Sequence, residues 1–173
     1  MDDIDWDSLT FSLTKTDWMY MAKCNLGDAW APGKIMPYGT FEIDPAAGVL
    51  NYGQGIFEGM KAHRTINDRV VIFRAEENAR RFQSGADRLG MPPVPESIFL
   101  DAVEQVVAAN KKWVPPAGKG ALYIRPLLLG TGPIMGVAPA PEYTFIVFVT
   151  PVGPYFKGGL SCIDLIITDE YHR

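Results

Sequence analysis

Apolar and polar positions change their spacing several times along this chain, and each change marks an element. From Thr14 to Lys23, TKTDWMYMAK mixes aromatic and polar residues in a way that suits a strand. Gly27, Pro32, Gly33 and Pro37 then break the chain into turns ahead of a second extended stretch, Thr40 to Ile43. MKAHR and RVVIF, separated by the polar TIND, predict a hairpin over Met60 to Phe73. The period lengthens beyond it. Ala79, Phe82, Ala86 and Leu89 recur at three and four residues, an apolar helix face that Gly90 and Pro92 bring to an end. Glu76 and Glu77 fall in its first turn, where the helix dipole favours negative charge. A second helix carries Phe99, Ala102, Val103, Val106, Val107 and Asn110 on one face, and Pro115 and Pro116 stop it after Trp113. ALYIRPLLLG and TFIVFV read as apolar strands on either side of the Gly- and Pro-rich GTGPIMGVAPAPEY.

Strands and helices that intersperse without strict alternation predict an α+β fold rather than a doubly wound sheet. PVGPYFKGG, Pro151 to Gly159, has the composition of a linker, and LSCIDLIIT beyond it reads as the first strand of something new. The expected organisation is a domain over 1–150, a linker over 151–159 and the start of a second domain over 160–173.

Composition narrows the function classes. With 47% hydrophobic and 21% charged residues, the 173-residue chain is globular. A net charge of -4 and the lack of any long Lys/Arg block argue against a nucleic acid partner. The apolar run near Phe145 to Val149 falls far short of a bilayer span, so no membrane partner is expected. The acidic opening MDDIDWDSL resembles neither a secretory signal nor an Arg-rich transit peptide, so the chain as written reads as cytoplasmic, although a plastid or mitochondrial presequence could have been removed. Cys24, Cys162, His63 and His172 have no metal-ligand spacing, so no metal is expected, and both thiols should be reduced and buried as small apolar residues.

Three places suggest chemistry. In NYGQGIFEGMKAHR, Asn51 to Arg64, Gly53, Gly55 and Gly59 surround Tyr52, Phe57 and Glu58. Such clustering marks either a corner leading into the hairpin or a close approach to a ligand. Arg125 interrupts an apolar strand, on the same face as Tyr123. It could join an internal salt bridge, reach water at a strand end marked by Pro126, or seat a substrate carboxylate beside the Tyr123 hydroxyl. Arg81, next to the apolar stripe at Phe82, could pair on the helix surface, as Glu76–Arg80 and Glu77–Arg81 would at four-residue offsets, or turn toward a cleft and a phosphate.

In order, Tyr52-Gly53 and Phe57-Glu58-Gly59, then Phe73-Arg74 leading into a helix that carries Arg81-Phe82, then Tyr123-Ile124-Arg125-Pro126-Leu127, resemble the branched-chain aminotransferases. These are fold type IV enzymes that use pyridoxal 5'-phosphate (PLP), and the resemblance covers almost the whole chain. AANKKWVPP and the following GKGALYIRP make it closest to plant members. The resemblance implies the small N-terminal domain of such an enzyme, a β-sheet with helices packed on it, with the large domain mostly missing. It implies transamination between Leu, Ile or Val and 2-oxoglutarate. By it Arg81 would hold the PLP phosphate, Tyr52 and Phe57 would line the side-chain pocket, and Tyr123 and Arg125 would meet substrate carboxylates. The loop Gly130 to Val137 would reach a partner subunit's pocket in a homodimer, with Met135 and Val137 the candidates there. The lysine that forms the Schiff base would lie beyond Arg173, so no catalytic residue is expected in this chain, and Lys157 is read as a solvated linker residue. A truncated chain of this kind would be inactive by itself. Alternatives are a non-catalytic relative that dimerises with full-length subunits, or a class IV enzyme such as a D-amino acid transaminase or aminodeoxychorismate lyase. Tyr123-Ile124-Arg125-Pro126 and the plant-like segments argue against the last two.

Overall fold

The computed structural model describes residues 4–154 and 162–168. Its strands are β1 (Trp18–Asn25), β2 (Lys34–Pro37), β3 (Gly55–Phe57), β4 (Met60–Arg64), β5 (Val70–Ile72), β6 (Ala121–Gly130) and β7 (Glu142–Val152). Its α-helices are α1 (Gly48–Tyr52), α2 (Ala75–Arg88) and α3 (Glu96–Ala109). β6 and β7 form the spine, pairing antiparallel from Ala121 opposite Val152 to Gly130 opposite Tyr143. The sheet order is β2-β1-β7-β6-β4-β5, with β3 also on β6. This is the α+β arrangement expected from the interspersed elements.

Alternation sorts the two faces of the sheet. Leu122, Ile124 and Leu128 of β6 are buried with Phe145, Val147 and Val149 of β7 and Tyr20 of β1, under the apolar faces of α2 and α3. The rings of Phe82, Phe99 and Phe145 meet there with centroids 5.3 to 6.0 Å apart. Burying each such side chain contributes roughly 1.5–3 kcal/mol, which is why the helices bind this face. Tyr123, Arg125, Leu127 and Leu129 lie on the opposite face and are only half-buried. Residues 10–16 run along β7. Thr14 N–H donates to Thr150 Oγ1 at 2.8 Å, Thr150 Oγ1 donates to the Thr14 carbonyl at 3.0 Å, and Gly153 N–H donates to the Thr10 carbonyl at 3.2 Å.

β3 and β4 are one strand with a gap. Phe57 is opposite Leu127 and Met60 is opposite Ile124 in a single register, so Glu58 and Gly59 fall opposite Pro126 and Arg125. Proline causes the gap: Glu58 N–H donates to the Pro126 carbonyl at 3.0 Å, but Pro126 has no N–H to return.

The hairpin and both long helices form where periodicity places them; several other expectations need correction. Thr40–Ile43 forms no strand, and Lys34–Pro37 does. Gly33 there permits close approach instead of a turn: a Cβ on it would lie 2.7 Å from Met21 C and 2.8 Å from Ala22 Cβ, so only glycine lets β2 come up beside β1. The glycine-rich corner contains α1, which Gly53 ends at φ 65°, and β3. Leu89 is exposed, being past the last turn of α2. Cys24 is buried as expected, whereas Cys162 is exposed.

Asn110 caps α3 and is fully buried. Its Oδ1 accepts from Asp17 N–H and Trp18 N–H at 3.2 and 3.1 Å, and its Nδ2 donates to the Trp18 and Val106 carbonyls at 2.9 and 2.8 Å. β7 continues through Val152, and most of the expected 151–159 linker, Lys157 and His172 lie outside the described residues. Residues 162–168 of the expected 160–173 strand have no regular secondary structure. Among the described residues, no helix is long and apolar enough to cross a membrane, and no group of three His, Cys, Asp or Glu could hold a metal.

Candidate functional site

The sheet face away from the helices gathers Phe57, Tyr123 and Arg125, because the register aligns β3 with the half-buried side of β6. Arg125 Nη2 donates to the Tyr123 hydroxyl at 2.9 Å. The guanidinium lies 4.6 Å from the Phe57 ring centroid and 5.1 Å from that of Tyr123. Its buried Nε–H has no partner among the described residues. Neither alternative raised from the sequence holds: no acidic side chain pairs with Arg125 among the described residues, and the residue is half-buried, not out in water. Aromatic walls around a cation with unmet donors suit a carboxylate joined to an apolar chain. Gly59 makes room for this cluster. A Cβ on it would overlap the Tyr123 hydroxyl oxygen and lie 2.9 Å from Tyr123 Cζ. Phe11 sets its ring edge-on to Tyr123, with centroids 5.2 Å apart.

Arg81 forms a second cationic feature on the helix side. Its Nε donates to Glu58 Oε1 at 2.8 Å and its Nη2 to Glu58 Oε2 at 2.9 Å, a bidentate pair. The Glu58 side chain is 13% exposed, and that of Arg81 is 62% exposed. Asn78 Nδ2 donates to Glu58 Oε2 at 2.7 Å and to the Gly59 carbonyl at 3.2 Å, and Gly59 N–H reaches Glu58 Oε2 at 3.3 Å. The surface pairs expected on α2 form differently: Glu77 meets Arg74 and Arg80 at three-residue spacing, which leaves Arg81 to Glu58. Burial pushes the Glu58 carboxyl up, but the hydrogen bonds from Arg81, Asn78 and Gly59 and the Arg81 charge outweigh it and hold the group below the usual carboxylate range. The same pairing raises the Arg81 pKa. With Phe73, Arg74, Glu77 and Asn78, Arg81 lines a cleft of about 400 Å³ at the start of α2. Glu58 occupies the Nε edge of the guanidinium, so both Nη1 protons and one on Nη2 remain for an anion, a donor set that fits a phosphate.

Tyr52, Met135 and Val137 make a third group. The Tyr52 hydroxyl, at the end of α1, donates to the Met135 carbonyl and not into the Arg125 cluster. The loop after β6 is tied down at its base: Gly48 N–H donates to the Gly132 carbonyl at 3.3 Å, Ile134 N–H to the Ala46 carbonyl at 2.9 Å, and Ala140 N–H to Gln54 Oε1 at 3.0 Å. The Met135 and Val137 residues it carries are nonetheless 82% and 92% exposed.

Sequence reasoning gave no role to Glu58, Asn78 or Phe11. Strand alternation could have sent Glu58 to the face opposite Phe57, toward the helices. Nothing in the segment before Thr14 signals Phe11, which the hydrogen bonds along β7 bring into place.

No protein-family profile matches the chain. It is 54% identical over 171 residues, 99% of its length, to "Branched-chain-amino-acid aminotransferase 5, chloroplastic" of Arabidopsis thaliana, and covers 41% of that protein. It is 53% identical over 171 residues, again 99% of its length, to "Branched-chain amino acid aminotransferase 2, chloroplastic" of Humulus lupulus, of which it covers 42%. The solved branched-chain aminotransferase of the thermophilic archaeon Thermoproteus uzoniensis with norvaline superposes with a TM-score of 0.65 at 22% identity, over 82% of this chain and 43% of that one, a likeness of fold. The chain thus matches plant branched-chain aminotransferases along its length and has the fold of their small N-terminal domain, while it spans about two fifths of the length of the curated relatives it matches.

Proposed function

We propose that this chain is the substrate-reading and phosphate-holding domain of a branched-chain aminotransferase that moves an amino group between Leu, Ile or Val and 2-oxoglutarate. The observation that carries this reading is Arg125, held between the Phe57 and Tyr123 rings with an unmet buried Nε–H. A guanidinium at an aromatic wall resolves the problem such an enzyme faces. The rings accept a branched aliphatic chain, and the cation accepts the second carboxylate of 2-oxoglutarate in the same space. Tyr123, whose hydroxyl accepts the Arg125 bond, has its own proton to donate to that carboxylate. The Phe57 ring, 4.6 Å from the guanidinium, covers one face of it, which lowers the local dielectric and strengthens the charge pairing.

Arg81 would hold the phosphate of PLP, with Glu58 and Asn78 behind it. When bound, PLP supplies the carbonyl and electron sink that transamination requires. Tyr52, Met135 and Val137 would complete the side-chain pocket where two subunits meet, and the exposure of Met135 and Val137 favours a homodimer, or pairing with a full-length subunit. The boundaries near 151–159 remain our reading of the domain organisation. The names of the curated relatives, chloroplastic in some and mitochondrial in others, favour a plastid or a mitochondrion as the compartment of the whole enzyme.

The test titrates the isotope-labelled chain with 2-oxoglutarate and with 4-methyl-2-oxopentanoate. Both should perturb Phe57, Tyr123 and Arg125 resonances. Arg125→Ala should weaken 2-oxoglutarate about ten-fold or more, the scale of a lost charge-assisted hydrogen bond, and affect the branched acid much less. Equal losses for the two acids, or no response at Phe57 and Tyr123, would refute the dual-substrate reading.

A further inference from the structure

Three consecutive residues of the strand that joins β3 to β4 serve different parts of the site. Phe57 covers Arg125, Gly59 leaves room for Tyr123, and Glu58 points to the other side, where it meets α2. We propose that Glu58 is a positioning residue for Arg81, holding the guanidinium by its Nε edge so that the remaining N–H groups face a phosphate monoester. The inference rests on the reading of Arg81 as the phosphate residue.

Arg81 leaves the surface of α2 with its side chain largely exposed, and an arginine so placed samples many rotamers unless something stops it. Glu58 can stop it because Glu58 is itself fixed. Asn78 and the Gly59 N–H both hold its Oε2, and its backbone N–H is tied to Pro126 of β6. The sheet therefore dictates, through one carboxylate, where a helix side chain points. An opposing effect exists, since the carboxylate also repels a phosphate. That repulsion acts through solvent beside a mostly exposed guanidinium and is weak, whereas losing the clamp frees every rotatable bond of the arginine. Orientation outweighs repulsion.

The experiment follows the Arg81 Nε–H resonance of the ¹⁵N-labelled chain while pyridoxine 5'-phosphate is added, with pyridoxine as the control ligand; neither has an aldehyde, so no lysine is modified. In the wild-type chain the resonance should shift saturably with the phosphate ester and not with pyridoxine. Glu58→Gln should move the resting Nε–H resonance and weaken binding roughly ten-fold, and Asn78→Ser, which loosens Glu58 without removing it, should weaken binding about three-fold. A Glu58→Gln chain that binds as tightly as wild type, or more tightly, would show that the carboxylate only competes, and would overturn the inference while leaving Arg81 as the phosphate residue. No response of Arg81 in the wild-type chain would overturn the Arg81 reading and the inference with it. If Glu58→Gln fails to fold, Asn78→Ser decides by the same criterion.

Discussion

Gly59→Ala isolates the contact on which the Arg125 cluster depends. Gly59 is not among the glycines with positive φ, so alanine brings no backbone strain and its cost is steric. The new methyl group would overlap the Tyr123 hydroxyl and press on Cζ, and two routes of relief are open. If Tyr123 stays, the crowding costs about 1–3 kcal/mol. If the ring swings away, it gives up the hydrogen bond to Arg125, about 1.5–3 kcal/mol, and the edge contact with Phe11, about 0.5–1.5 kcal/mol. The cheaper route sets the cost, at about 1–3 kcal/mol. With a urea m-value of about 2 kcal/mol/M, the unfolding midpoint should fall by about 0.5–1.5 M.

The assay is a double-mutant cycle in urea with Tyr123→Ala as the second change. In that background the three atoms nearest the added methyl are gone, and Gly59→Ala should cost nothing or stabilise by about 0.4–1 kcal/mol through the unfolded chain. The coupling should then be about 1–4 kcal/mol. A Gly59→Ala chain within about 0.5 kcal/mol of wild type, or one that loses the same stability with and without Tyr123, would refute the packing account.

Two further predictions concern stability. Glu58 is held below the usual carboxylate range as described, and so is Asp17, chiefly by the hydrogen bond from Lys112 at 2.7 Å, with burial opposing and Trp113 Nε1 assisting. Folded-state pKa values below the unfolded ones mean that stability is fully present above about pH 4.5 and is lost as pH falls through the folded values. Urea midpoints measured from pH 7 to pH 3 should therefore drop below about pH 4, and Glu58→Gln with Asp17→Asn should flatten the drop; a gain on acidification would contradict both assignments. Asn110→Ala should cost about 2–3 kcal/mol in the same assay, because it leaves Asp17 N–H, Trp18 N–H and the Trp18 carbonyl without their buried partner; a loss under about 0.5 kcal/mol would mean that water replaces the side chain.

Long periodic segments could be read from the sequence because their burial is repeated. α2, α3 and β6 each show one face several times over, and β7 is buried on both faces along nearly its whole length, so a single odd residue does not mislead. Short elements were obscured wherever glycine and proline have two meanings. Gly33 looks like a turn and is a close approach, and only the position of β1, which is distant information, decides between them. The candidate site was partly visible for the same reason. Tyr123 and Arg125 share a face by period two, which is local, whereas the Glu58–Arg81 pair joins residues 23 positions apart through a strand pairing that no periodicity reports. A helix surface rich in both charges offered Glu77 as an equally good partner for Arg81, but Glu77 Oε1 meets Arg74 and Arg80, and Arg81 meets Glu58.

Pro126 explains why this one stretch can serve two sides. A proline in a central strand costs a ladder hydrogen bond, and here the loss falls opposite Glu58. The Glu58 carbonyl is thereby released from the ladder while the Glu58 N–H is still held, so the strand keeps its register through Gly59 but loses one rung. Register matters more than the rung. A one-residue slip would exchange the two faces, sending Phe57 under the helices and Glu58 onto the Arg125 side, where a carboxylate would satisfy the guanidinium that the substrate is meant to meet. Ile56 and Met60, packed against the core on either side of the gap, oppose that slip. The apolar residues flanking Phe57-Glu58-Gly59 thus decide which arginine meets a carboxylate from the protein and which is left for one from solution.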